Sequence, residues 1–153
     1  MININKKFIF IHVPKTGGSS ITQSLLLDEK IELGPRSYDG LSLDTAKKFF
    51  GTHAPNFQHL KLGPLLRIAP KAEGFFKFIF CRNPFARILS EYFYCISHNG
   101  CKFSGNRRDF LQKYPSFREF ILDSAINKCS WTPHADSQYS FIKGHEVDFI
   151  GKF

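Results

Sequence analysis

An almost unbroken apolar run, Phe8-Ile9-Phe10-Ile11-His12-Val13, leads directly into Pro14-Lys15-Thr16-Gly17-Gly18-Ser19-Ser20. Ile21, Leu25 and Leu26 then recur at helical spacing. The order predicts a strand over 7–13, a short loop, and a helix over about 18–27. Few arrangements accommodate such a unit: the strand must be buried and the helix must fold back over the sheet. The loop chemistry is equally constrained. Glycines let backbone N–H groups turn toward an anion, and a helix N-terminus adds partial positive charge. Lys15 supplies a full charge, and Thr16, Ser19 and Ser20 supply hydroxyl donors. The loop therefore reads as a phosphate or sulfate cradle; the plainer alternative is a glycine-serine turn with a solvated lysine.

The loop is not a Walker A sequence, which places lysine after the glycines. Here Lys15 precedes Gly17 and Gly18. A second segment has the same design. Phe75-Phe76-Lys77-Phe78-Ile79-Phe80-Cys81 reads as a strand buried on both faces of a parallel sheet. Arg82-Asn83-Pro84 follows, with Asn83 suited to cap a helix and Pro84 to its first position. Phe85, Ile88, Leu89, Tyr92 and Phe93 then mark a core-facing stripe, with Ala86 and Ser90 on another face. Arg82 sits at the carboxyl end of a strand, where open α/β sheets bind ligands.

Both segments together resemble sulfotransferases that use 3′-phosphoadenosine 5′-phosphosulfate (PAPS), most closely the carbohydrate-acting branch. The resemblance covers most of the chain; residues 28–48 and 99–114 carry least of it. It implies a P-loop NTPase-like three-layer α/β fold, with a mainly parallel sheet flanked by helices. It also implies transfer of a sulfonyl group from PAPS to a carbohydrate hydroxyl, releasing PAP, without a metal. Lys15, Thr16, Gly17, Gly18, Ser19 and Ser20 correspond to the 5′-phosphosulfate loop, with Lys15 also catalytic. Arg82 and Ser90 take the 3′-phosphate; an arginine fork suits phosphate oxygens.

The proton acceptor is expected at His53, in Gly51-Thr52-His53 after a strand near 49–52. His59 is a weaker candidate, and His12 reads as a satisfied core histidine. Glu91 reads as a surface ion-pair residue. The polar and aromatic stretch Trp131–Tyr139 places His134 and Gln138 as acceptor or nucleotide contacts. No His, Asp or Glu cluster has metal-ligand spacing.

Composition narrows the partners. The chain has 153 residues, 18 of them Phe, and a net charge of +8. That size fits one domain, 1–153, with an aromatic core, and the charge suits anionic ligands. The basic residues are dispersed, with only small clusters at Lys47-Lys48 and Arg107-Arg108. Nucleic acid is therefore disfavoured as a partner. A P-loop kinase is disfavoured by the lysine position and the lack of a strand-end Asp for magnesium. No apolar stretch approaches the roughly 18 residues of a membrane span, and no leader is recognisable. Cys81, Cys95, Cys101 and Cys129 fit no zinc pattern, and Cys81 reads as a core residue. Reduced thiols and a cytoplasmic setting are expected.

Further along, Ser116-Phe117-Arg118-Glu119 is a capping box opening a helix through about Ile126, and Val147–Gly151 reads as a last strand. Sulfotransferases of this type continue past that strand into further helices. The chain ends at Phe153, so exposed apolar side chains are expected near 141–153. The other functional expectation is accordingly an inactive, truncated nucleotide-binding remnant of the fold.

Overall fold

The computed structural model describes residues 1–3, 6–26, 59–97, 107–126, 134 and 136–153. They form two compact units: Met1–Cys81 with Ser137–Phe153, and Arg82–Asp136.

The first unit is built on a four-stranded sheet in the order β1 (Ile2–Asn3), β2 (Phe8–Ile11), β3 (Phe76–Cys81), β4 (Phe149–Lys152). β2, β3 and β4 run parallel, and β1 is antiparallel to β2. The short antiparallel edge has no counterpart in the sequence reading. It is held by a backbone pair between Met1 and Phe10, at 2.8 and 2.9 Å.

Side chains alternate across a strand, and the sequence alternates Phe with Ile. One face therefore carries Phe8, Phe10, Phe76, Phe78, Phe80 and Phe149, and the other carries Ile9, Ile11, Ile79 and Ile150. Registry puts Phe10 beside Phe78 and Phe78 beside Phe149. The Phe10 and Phe78 rings stack with centroids 5.1 Å apart, and Phe80 meets Phe149 edge-on at 6.0 Å. Helix α1 (Gly18–Leu26) covers this face with Ile21 and Leu25. The isoleucine face is covered by Leu62, Leu65 and Leu66 of α2 (Leu62–Ile68) and by Phe141 of a 3₁₀ turn, Gln138–Phe141. Helices thus flank a mainly parallel sheet, as expected. Phe10, Ile9, Ile11 and Phe141 are sealed from solvent, each worth about 1.5–3 kcal/mol of burial.

Among the described residues β4 is an edge strand, and it begins where Asp148 clasps Lys77: the Lys77 N–H donates to Asp148 Oδ2 at 2.6 Å, and the Asp148 N–H to the Lys77 carbonyl at 2.8 Å. Phe149, Ile150 and Phe153 are exposed, but Phe141 is fully buried and Ile142 and Val147 pack against the core, so the exposure expected over 141–153 holds only toward its end. Phe76 is also exposed, so β3 is buried on both faces only at Phe78 and Ile79, short of the full-length burial expected.

The second unit is helical: α3 (Pro84–Ser97), α4 (Arg107–Lys113) and α5 (Phe117–Ile126). Tyr92, Cys95, Phe110, Tyr114 and Phe120 make its core. α5 starts where the capping box was expected, but the described contact there is side chain to side chain, the Ser116 hydroxyl donating to the Glu119 carboxylate. The apolar stripe expected on α3 needs correction. Phe85, Leu89 and Phe93 are exposed, while Arg87, Glu91, Tyr92 and Cys95 are buried. The helix is rolled away from its own periodicity because a polar cluster, described below, takes the inner position.

Candidate functional site

The loop between β2 and α1 leaves the carboxyl end of a central strand, as read from the sequence. Two of its residues are left-handed, Lys15 at φ 64° and Gly17 at φ 76°, with Thr16 between them on the negative side. Alternating handedness of this kind turns successive N–H groups into one concavity. Thr16 is fully buried, and its hydroxyl donates to the Val13 carbonyl at 3.0 Å. That hydroxyl hydrogen is thereby engaged within the loop's own backbone rather than free for an anion, contrary to the expectation for Thr16. Ser19 and Ser20 are exposed on the first turn of the nine-residue α1.

Gly17 takes a positive φ that side chains disfavour, and neither glycine has room for a Cβ unless a neighbouring ring moves. A Cβ on Gly17 would collide with the Phe153 ring, and one on Gly18 with the His12 imidazole. His12 is buried as expected, stacks on Phe10 at 5.5 Å, and lies edge-on to His59 at 4.7 Å. His59 Nδ1 donates to the His12 carbonyl at 3.0 Å. Gly18→Ala is expected to destabilise the protein by about 1–3 kcal/mol through overpacking, measurable by urea denaturation. An unchanged midpoint would mean that His12 moves aside freely.

At the end of β3 the second predicted segment forms as read. Asn83 Oδ1 accepts from the N–H groups of Phe85 and Ala86 at 3.0 and 3.1 Å, and Pro84 opens α3. Arg82 precedes this cap and Ser90 lies two turns into the helix, both half-buried.

A model of the sulfotransferase family matches residues 1–151. The chain belongs to the sulfotransferase family. No curated protein and no solved structure matches it.

Within this sulfotransferase the predicted residues fall as follows. Lys15, Thr16, Gly17, Gly18, Ser19 and Ser20 share one loop and helix start in the first unit, where Gln138 also lies. Arg82, Ser90 and His134 belong to the second unit. His53 and its expected strand lie outside the described residues, as do Cys101, Cys129 and Trp131. Among the described residues no helix is long and apolar enough to cross a membrane, and no group of three His, Cys, Asp or Glu side chains is set to hold a metal ion. Cys81 is partly exposed rather than in the core, and burial raises its thiol from the ordinary value, which favours the protonated form.

One group of residues was read wrongly or not at all. Glu91 is only 2% exposed, far from the surface ion pair expected. Its Oε2 accepts from His134 Nδ1 at 2.9 Å, and its Oε1 faces the Cys95 thiol at 3.7 Å. Arg87, one turn earlier, sends Nη1 to the His134 carbonyl at 2.9 Å and Nη2 to the Asp136 carbonyl at 2.6 Å. Burial lowers the Arg87 pKa, and the charges of Glu91 and Asp136 oppose that shift. The arginine remains a cation, since guanidinium does not lose its proton in proteins. The i, i+4 spacing of Arg87 and Glu91 was the available signal, but it fits an exposed helix pair equally well.

Proposed function

We propose that this sulfotransferase uses PAPS and delivers its sulfonyl group to a carbohydrate hydroxyl, releasing PAP. One observation carries the reading. The loop after β2 places a left-handed lysine and a left-handed glycine directly before the N-terminus of α1, a donor set that fits a 5′-phosphosulfate. PAPS supplies the activated sulfonyl group when bound. Lys15 neutralises charge on the 5′-phosphate side, where negative charge grows as the nucleotide leaves. The N–H groups of Thr16, Gly17 and Gly18, with the Ser19 and Ser20 hydroxyls, orient that phosphate. Arg82 and Ser90 hold the 3′-phosphate. His53 takes the proton that the acceptor hydroxyl loses, and His134 and Gln138 contact the acceptor or the nucleotide. The sheet with helices on both faces is read as P-loop NTPase-like, and residues 1–153 as one sulfotransferase-like domain.

Calorimetric titration with PAP tests this. The wild-type chain should bind PAP, and Arg82→Ala should weaken binding about 10–100-fold, as expected for a lost charge-assisted bond of about 1.5–3 kcal/mol. A folded wild-type chain that does not bind PAP overturns the proposal.

A further inference from the structure

Two glycines in succession do not hold a loop's handedness by themselves, because glycine takes either sign of φ about equally well. In the anion loop Gly17 sits at φ 76°, after Lys15 at φ 64°. A flip of its peptide would turn a carbonyl where the concavity needs an N–H. The Phe153 ring packs at this point: it fills the space that a Cβ on Gly17 would occupy. Sheet geometry explains how it arrives there. The parallel pairing of β3 with β4 continues one residue past β4, where the Phe153 N–H donates to the Cys81 carbonyl at 2.8 Å. Alternation puts Phe149, Gly151 and Phe153 on one face, the phenylalanine face that α1 covers. Gly151 leaves room there for the Phe80 ring. β3 lies between β2 and β4, so the Phe153 ring reaches past the end of β3 to the loop that follows β2. Ring, loop and sheet all belong to the first unit.

We infer that Phe153 is a positioning residue: its ring holds Gly17 in the left-handed state that keeps the loop's N–H groups turned toward an anion. The inference rests on the function proposed above. Exposure distinguishes Phe153 from the other ring on this loop. His12, which fills the corresponding space at Gly18, is 5% exposed and stacks on Phe10, so it belongs to the core. Phe153 is 63% exposed, and a ring buried so little contributes modestly to stability. Its contact with the loop restricts Gly17 instead, and it keeps water from one side of the loop, where hydrogen bonds to an anion gain strength as water is excluded. Such a role differs from stacking on a nucleobase. It acts at the phosphate end of the ligand, so an anion without a base feels it equally.

Two probes separate these roles: PAP, and inorganic pyrophosphate, which carries paired anionic groups and no base. Calorimetric titration gives the affinity for PAP, and displacement of PAP gives that for pyrophosphate. In Phe153→Ala both affinities should fall by the same factor, roughly tenfold if the competent state of the loop drops to one tenth of its population. The melting temperature should stay within about 4 °C of wild type, as for an exposed side chain. Phe153→Tyr keeps the ring and should hold both affinities within about twofold of wild type. A Phe153→Ala protein that loses affinity for PAP alone would make the ring a base platform, and unchanged affinities would remove it from the site. A larger drop in melting temperature, or failure to fold, would make it a structural residue. Each of these results overturns the inference, as does a wild-type chain whose bound PAP pyrophosphate does not displace. A folded wild-type chain that binds neither probe counts instead against the function proposed above.

Discussion

Glu91→Ala is expected to destabilise the helical unit 82–136 by about 3–5 kcal/mol, the range for removing one partner of a buried charged cluster. At about 2–4 °C per kcal/mol for a chain of this size, the melting temperature should fall by roughly 6–20 °C. The reason lies in what remains behind. Arg87 is 7% exposed and draws electrostatic support from Glu91. His134 would lose its Nδ1 partner, and Cys95 a neighbouring acceptor. Truncation also leaves a cavity beside Tyr92 and Cys95. A double-mutant cycle separates these causes: in Arg87→Met/Glu91→Ala the orphaned cation is gone, so the combined loss should fall short of the sum by about 0.5–3 kcal/mol. Additive losses, or a Glu91→Ala protein as stable as wild type, would show that the cluster contributes packing alone.

Lys15→Gly should separate stability from function. A non-glycine residue in the left-handed region carries about 1–2 kcal/mol of strain, and Lys15 sits there at φ 64°. Glycine relieves that strain but gains about 0.5–1 kcal/mol of chain entropy in the unfolded state. The variant should therefore be as stable as wild type or more stable by up to about 1 kcal/mol. Transfer, followed as PAP released from PAPS with an acceptor that the wild type turns over, should fall about 10²–10³-fold, the usual loss when one preorganised charge-stabilising group is removed. A Lys15→Gly protein with wild-type turnover would remove Lys15 from the catalytic step.

The elements governed by local rules were legible. The Phe-Ile alternation of β2 assigns one side chain type to each face of the sheet, because strand periodicity leaves no other choice. The cap at Asn83-Pro84 acts within one turn of its own backbone, and Ser116 and Glu119 pair at the start of α5 where the sequence places a helix start. Spacing also placed Lys15 and Arg82 at strand ends, although the left-handed backbone of Lys15 had no sequence signature. Composition did not reveal that Thr16 would turn its hydroxyl inward to Val13, nor that the His12 ring would occupy the space a Gly18 side chain would need.

α3 shows the limit most clearly. Its sequence carries two competing helical faces, an apolar one through Phe85, Leu89 and Phe93 and a mixed one through Arg87, Glu91 and Cys95. Periodicity favours the first. The fold buries the second, because Glu91 and Arg87 find donors and acceptors on His134 and Asp136, more than forty residues away in sequence. The sequence by itself determined the sheet's alternating faces, the strand–loop–helix units and the residues available for anion binding, since each follows from neighbours along the chain. Only the tertiary structure decided which face of α3 is inside and that Glu91 and Arg87 meet His134 and Asp136 there, since burying a charge depends on partners that local sequence does not contain.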